Sequence, residues 1–263
     1  STICLPDSCL TLLSAKDLAS FLIGFSIPFP LNKYSNHPLS LTRSLIESTD
    51  DGFGNSRVFQ TTFVEQYNDA ILHISVDASG SMCGDKWDNA MTSVVGICKA
   101  ASMIQNVDVV VSFRTTQGES PLVAIGYDSR VNQFSHIKNL WPNLRAGGTT
   151  PEGLCFEAIM DDFVGGTNNR DSYFLNFSDG QPMFSGEGFE YYGDQALHHT
   201  KKQVKEIIKK GIRVMSYFVG DSEYDRSRNM DDFKTMYGKD AQFIDVTKVS
   251  SLAKTMNNLF LEK

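Results

Sequence analysis

A chain of 263 residues with 41 % hydrophobic and 21 % charged residues can bury a full core, as one large domain or as one of about 190 residues with an extension. Its net charge of −7 and pI near 5.2 exclude a phosphate-backbone binder, which needs clustered Lys and Arg to release counterions, so no nucleic-acid partner is expected. No apolar run reaches the roughly 18 residues of a membrane helix, so no membrane partner is expected either.

Residues 1–70 read as an N-terminal extension with no legible role. A helix is expected near 15–24, then a stretch punctuated by Pro28, Pro30 and Pro38, then a polar loop or linker over 47–56. Pro6 and Asp7 precede the apolar stretch 18–29 without a basic segment, which does not read as a secretory signal. The cysteines Cys4, Cys9, Cys83, Cys98 and Cys155 form no legible disulfide framework, and Cys4 and Cys9 lack the second Cys/His pair of a zinc site. The expected setting is reducing and cytoplasmic, or a virion if the source is viral.

Residues 71–263 form the second unit and alternate strand-like with helix-like segments, the pattern of a mostly parallel sheet with helices on both faces. Residues 71–77 are a short apolar run ending in Asp77, a buried strand. Trp87, Ala90, Met91, Val94, Val95, Cys98 and Ala101 recur at helical spacing. Residues 107–113 are a continuous β-branched strand. Residues 122–127 follow after a polar turn too short for a crossover helix, so this strand is expected to be antiparallel and at an edge. Pro151 opens a helix carrying Leu154, Ala158, Ile159 and Phe163. Strands over 173–177 and 212–219 flank a basic amphipathic helix that ends at Gly211. A short helix over 231–237, a strand over 242–246 and a final helix carrying Val249, Leu252, Met256, Leu259 and Phe260 complete the series. The expected fold class is α/β, a doubly wound sheet of six strands, five parallel and one an antiparallel edge strand.

Three loops collect oxygen ligands. The first strand delivers Asp77-Ala78-Ser79-Gly80-Ser81, one carboxylate and two hydroxyls at alternating positions in a tight loop expected to be accessible to solvent. Gly147-Gly148-Thr149-Thr150 offers a hydroxyl where the backbone can approach closely, and Ser178-Asp179-Gly180 places a second carboxylate after a buried strand. Hard oxygen donors of this kind suit Mg²⁺ or Mn²⁺. In a doubly wound sheet, ligands sit beyond the carboxyl ends of the strands where the strand order reverses.

In this order and spacing the three segments resemble the metal-ion-dependent adhesion site of von Willebrand factor A domains, over about residues 70–263. The resemblance rests on Asp77, Ser79 and Ser81 for the Asp-x-Ser-x-Ser loop, on Thr149 for the threonine loop and on Asp179 for the last. It implies a Rossmann-like fold and an Mg²⁺ or Mn²⁺ ion. The two serines would bind directly and the aspartates often through water, with Thr149 or its neighbour Thr150 completing the set. It further implies no catalysis, and a protein partner that contributes a Glu or Asp to the metal. Within the family, Met82 and the run 147–153 look like intracellular bacterial and bacteriophage members, similar to metal-chelatase subunits that work beside a ring-forming AAA+ ATPase. A Walker A loop is absent, so that ATPase would be a separate chain.

Three other readings stand beside this one. The Asp, Ser, Thr and Gly residues suit turns on their own. A phosphotransferase with an aspartate nucleophile would also begin with a strand ending in Asp, but it needs a second carboxylate where Ser79 stands. The chain would alternatively be a structural component of a larger assembly such as a virus particle, with a stabilising or vestigial metal site. His198 and His199 are adjacent on a helix and point about 100° apart, so they read as surface residues. Lys201, Lys202, Lys205, Lys209 and Lys210 read as a solvated helix face. Phe184, Phe189, Tyr191 and Tyr192 follow the Asp179 loop, where aromatic side chains serve either as interface anchors or as a cover for the helix edge.

Overall fold

The computed structural model describes residues 42–50, 56–64, 69–103, 106–186, 188–220, 223–238 and 242–244. The helices expected near 15–24 and over 249–260, together with Cys4 and Cys9, lie outside the described residues.

Two strands, β1 (Thr42–Asp50) and β2 (Ser56–Val64), pair antiparallel in unbroken register from Thr42 opposite Val64 to Asp50 opposite Ser56. This corrects the loop expected over 47–56 at residues 47–50 and at Ser56, while 51–55 lie outside the described residues. Polarity marked that segment as a linker, but a backbone ladder holds an extended chain whatever the polarity of its side chains.

The central sheet is built from β3 (Asp69–Asp77), β4 (Val107–Gln117), β5 (Ser120–Asp128), β6 (Arg170–Ser178), β9 (Ile212–Val219) and β10 (Gln242–Ile244). Its order is β10-β9-β6-β3-β4-β5, and every neighbouring pair is parallel except β4 with β5. The sheet is therefore mostly parallel, with an antiparallel strand at the β5 edge. Pro121 sits at the start of that edge strand, where a missing N–H is tolerated. The register slips opposite Val111 and Ser112, leaving Gly126 as the extra residue. A Cβ on Gly126 would stand 2.4 Å from the Phe113 ring, so only glycine fits the bulge.

Among the described residues five α-helices flank the sheet: α1 (Asp85–Ala101), α2 (Phe134–Leu140), α3 (Glu152–Ala158), α4 (Gly193–Lys209) and α5 (Glu223–Tyr237). The core divides by the two-residue period of the strands. Leu72, Ile74 and Val76 of β3 with Leu175 and Phe177 of β6 pack on one side against Val94, Cys98 and Ile137 of α1 and α2. Phe174 and Phe218 pack on the other against Phe156, Val204, Ile207 and Phe233 of α3, α4 and α5. No helix among the described residues is long and apolar enough to cross a membrane.

Element limits differ from the sequence expectations in places. The helix opened by Pro151 stops at Ala158, because Ile159 leaves α geometry at φ −102° and ψ 13°, and a 3₁₀ turn over Met160–Asp162 follows. Within the aromatic stretch after Asp179, a short hairpin forms from β7 (Phe184–Gly186) and β8 (Phe189–Tyr191). Of the apolar face expected for α4, Leu197, Val204 and Ile207 are buried and Ile208 is exposed, and the lysines of α4 lie outside the buried stripe.

Candidate metal centre

The strand order fixes where a site can form. From β3 the chain winds outward to β4 and β5, then returns to β6 on the other side of β3 and winds outward to β9 and β10. The order reverses between β3 and β6, the point beyond whose carboxyl ends doubly wound sheets bind ligands. Asp77 is the last residue of β3, and Ser178 is the last of β6.

Four of the five expected site residues are linked there by hydrogen bonds. Ser79 Oγ lies 3.0 Å from Ser81 Oγ, and Ser81 Oγ donates to Asp179 Oδ1 at 2.8 Å. Asp77 accepts from the Ser79 backbone N–H at 2.9 Å through one carboxylate oxygen and from Ser178 Oγ at 3.0 Å through the other. Asp77 was expected in a solvent-accessible loop. It is instead completely buried, as are Ser79 and Asp179, while Ser81 is exposed.

The threonine loop reaches this cluster through its backbone. Gly147 N–H donates to the Ala78 carbonyl at 2.7 Å, and Gly80 N–H donates to the Gly148 carbonyl at 3.0 Å. Gly148 takes φ +78°, and a Cβ there would lie 2.5 Å from Thr116 Oγ1. Thr149 is half-buried, with its N–H 3.0 Å from Thr116 Oγ1 and its hydroxyl 3.5 Å from the same oxygen. Thr150 is buried and exchanges backbone hydrogen bonds with Met183. Thr149 is thus the less buried of the two threonines.

Charge in the cluster is partly balanced from within. Burial pushes the Asp77 carboxyl above its ordinary range, opposed by the Arg114 guanidinium, with Glu152 adding to the rise. Burial also raises Asp179, opposed by Lys86, with the negative charge of Asp77 adding to the rise. Lys86 Nζ is 2.9 Å from Asp179 Oδ2.

Beneath the loops lies a buried ion pair that sequence reading missed. Arg114 and Glu152 are both fully buried, with Arg114 Nη2 2.5 Å from Glu152 Oε1. The guanidinium also donates to Ser75 Oγ at 2.9 Å and to the Phe177 carbonyl at 3.2 Å, and its carbon lies 5.3 Å above the Phe156 ring. One side chain on β4 thereby ties β3, β6 and the first turn of α3, the elements that carry the three loops.

The donor set fits a small hard cation. Octahedral Mg²⁺ with bonds of about 2.0–2.1 Å sets neighbouring oxygens about 2.9 Å apart. The Ser79–Ser81 and Ser81–Asp179 oxygen spacings of 3.0 and 2.8 Å match such edges. No group of three or more His, Cys, Asp and Glu side chains suited to a metal occurs among the described residues, so this cluster depends on its hydroxyls.

No family model and no curated protein matches the sequence. Solved structures do match the fold. The pilus adhesin SpaC of Lactobacillus rhamnosus GG is similar at a TM-score of 0.56 and 12 % identity, over 84 % of this chain and 34 % of SpaC. The chain thus spans about a third of that adhesin's length. The vWF domain of the type V pili tip protein Mfa5 from Porphyromonas gingivalis is similar at 0.54 and 8 % identity, over 74 % of this chain and 97 % of that domain. The manganese-loaded TRAP protein of Plasmodium vivax is similar at 0.50 and 13 % identity, over 82 % and 78 %. With the strand order, these likenesses give the chain the fold of von Willebrand factor A domains.

Proposed function

We propose that the protein is a protein-binding module whose grip depends on a divalent cation and which performs no catalysis. Mg²⁺ or Mn²⁺ sits on Ser79 and Ser81, with Asp77, Asp179 and Thr149 bound directly or through water. A position left open by the protein takes a Glu or Asp carboxylate from the partner.

The observation that carries this reading is the chain of oxygens Ser79–Ser81–Asp179, spaced like the edges of an Mg²⁺ octahedron. Hydroxyl hydrogen bonds have the same length, so a cation fits among these oxygens with little movement of them, each serine keeping its proton and turning it away from the ion. Charge adds to the argument. By formal charge, three carboxylates (Asp77, Glu152 and Asp179) against two cations (Arg114 and Lys86) leave the cluster one net negative charge. A divalent ion turns this into one net positive charge, which a partner carboxylate neutralises. The manganese in the TRAP neighbour and the pilus settings of the others support metal use and protein assembly as the kind of function, while work beside an AAA+ ATPase rests on the sequence resemblance alone.

The test is titration of Mn²⁺ into the purified chain, followed by calorimetry and by the Mn²⁺ electron paramagnetic resonance signal. One ion per chain is expected, lost in Ser81→Ala, and capture of proteins from native cells is expected to fall in Asp179→Asn to the level reached with chelator. Absence of binding at millimolar Mn²⁺, or capture that ignores both chelator and substitution, overturns the reading.

A further inference from the structure

We infer that Lys86 is a tethered competitor for the cation, an ammonium that holds one oxygen of Asp179 until a divalent ion displaces it. The inference rests on the proposed metal site and adds how that site is regulated.

Two observations place Lys86 in this role. Its Nζ is 2.9 Å from Asp179 Oδ2, while Ser81 holds the other oxygen, Oδ1, at 2.8 Å, so both oxygens of this carboxylate are engaged. Lys86 also stands in the first turn of α1, the positive end of the helix dipole, where a cation is disfavoured. A lysine there is held by nearby anions, and beside Asp85 and Asp88 of the same turn Asp179 is the one in direct ion-pair contact. A divalent ion on Ser81 and Asp179 cancels the attraction and adds repulsion, so the ammonium leaves toward solvent, to which its side chain already has 15 % exposure.

The consequence is a threshold. Metal binding includes the cost of breaking an ion pair that is shielded from most solvent, so the intrinsic affinity of the oxygen cluster is masked. A carboxylate supplied with the partner offsets that cost, which makes metal and partner bind together more tightly than either alone.

The experiment compares Mn²⁺ titrations of wild type, Lys86→Gln and Lys86→Arg, with the neutralised surface lysine Lys205→Gln as the control for net charge. Lys86→Gln is expected to bind Mn²⁺ at least about tenfold more tightly, with Lys86→Arg near wild type and Lys205→Gln changed less than twofold. Acetylation of Lys86 in the wild-type chain by acetic anhydride, read by mass spectrometry, is expected to rise several-fold when Mn²⁺ saturates the site. Unchanged or weaker affinity in Lys86→Gln, or acetylation indifferent to Mn²⁺, overturns the inference and leaves the metal site standing. Failure of wild type and Lys86→Gln alike to bind Mn²⁺ overturns both.

Discussion

Replacing Glu152 by Ala should cost this protein a large part of its stability. Glu152 and Arg114 are both without solvent exposure, and the carboxylate is the anion that neutralises the guanidinium. Removing it leaves Arg114 with the Ser75 hydroxyl, the Phe177 carbonyl and the charge of Asp77, which it does not contact as an ion pair, and strips the Asn176 amide of its acceptor. Breaking a buried pair from one side costs about 3–5 kcal/mol, against a total stability of about 5–15 kcal/mol for a typical domain. Glu152→Gln keeps an acceptor but not the charge, and should fall between wild type and Ala. Urea unfolding followed by the fluorescence of Trp87 and Trp141 measures both. The double variant Arg114→Met with Glu152→Met supplies the sharper test, since removing both charges should recover at least about 2 kcal/mol of the summed single losses. A loss under about 1 kcal/mol in Glu152→Ala, or strict additivity in the double variant, would refute the view that this pair is dry and mutually dependent.

His73 gives a pH dependence of definite sign. Burial lowers its pKa to about 4, and its Nε2 accepts the Val164 N–H at 3.1 Å, so the folded protein holds the neutral ring. Below about 6.5 the unfolded chain takes up a proton first, so stability present at neutral pH should fall by about 3 kcal/mol down to pH 4, with a shallower slope in His73→Gln. Gly148→Ala should cost about 1–3 kcal/mol in a thermal melt, because φ +78° and the crowding of Thr115 and Thr116 both oppose a side chain, and it should weaken Mn²⁺ binding by shifting the threonine loop. Asp77→Ala should lower apo stability by about 1–3 kcal/mol, since the Ser79 N–H and Ser178 hydroxyl lose their acceptor; unchanged urea unfolding would show that relief of burial and charge repulsion compensates in full.

Where a segment's role is local, the sequence was legible. The apolar run of β3, the helical spacing of α1 and the short polar turn before β5 follow from burial and chain reach, and those elements lie where periodicity places them. The loops around Asp77 and Asp179 were legible because a carboxylate straight after a buried strand is unusual. Their hydrogen-bonded contact was not legible, since it joins residues about a hundred positions apart through the strand order. The hairpin β1–β2 was missed because polar composition masks a backbone ladder, and α2 because its apolar face is a single buried residue, Ile137. The Arg114–Glu152 pair had a signal that went unread. His73, Ser75 and Asp77 alternate with apolar residues along β3, as do Ser112 and Arg114 along β4 and Asn176 and Ser178 along β6. A period of two that brings polar residues into central strands marks a buried polar face.

That polar face explains why Asp77 is buried rather than set out in a loop. The side of the sheet under α3 is apolar at Ile71, Phe174 and Ile212 and turns polar toward the carboxyl ends, where Ser75, Arg114, Asn176, Asp77 and Ser178 gather. A carboxylate in an apolar interior is harder to ionise, the direction in which burial pushes Asp77, unless a cation stands close by. Arg114 supplies that cation from below, and it stays charged because Glu152 neutralises it in turn. Lys86 supplies the corresponding charge to Asp179 from the end of α1. The two arrangements are not equivalent. Arg114 is wholly enclosed and fixed by partners on three elements, so it cannot leave when another positive charge arrives, whereas Lys86 hangs from a flexible stem at the edge of the cluster. Any cation entering between Asp77 and Asp179 therefore meets a permanent counter-charge on one side and a displaceable one on the other, and it is the Asp179 side of the cluster that must open to admit it.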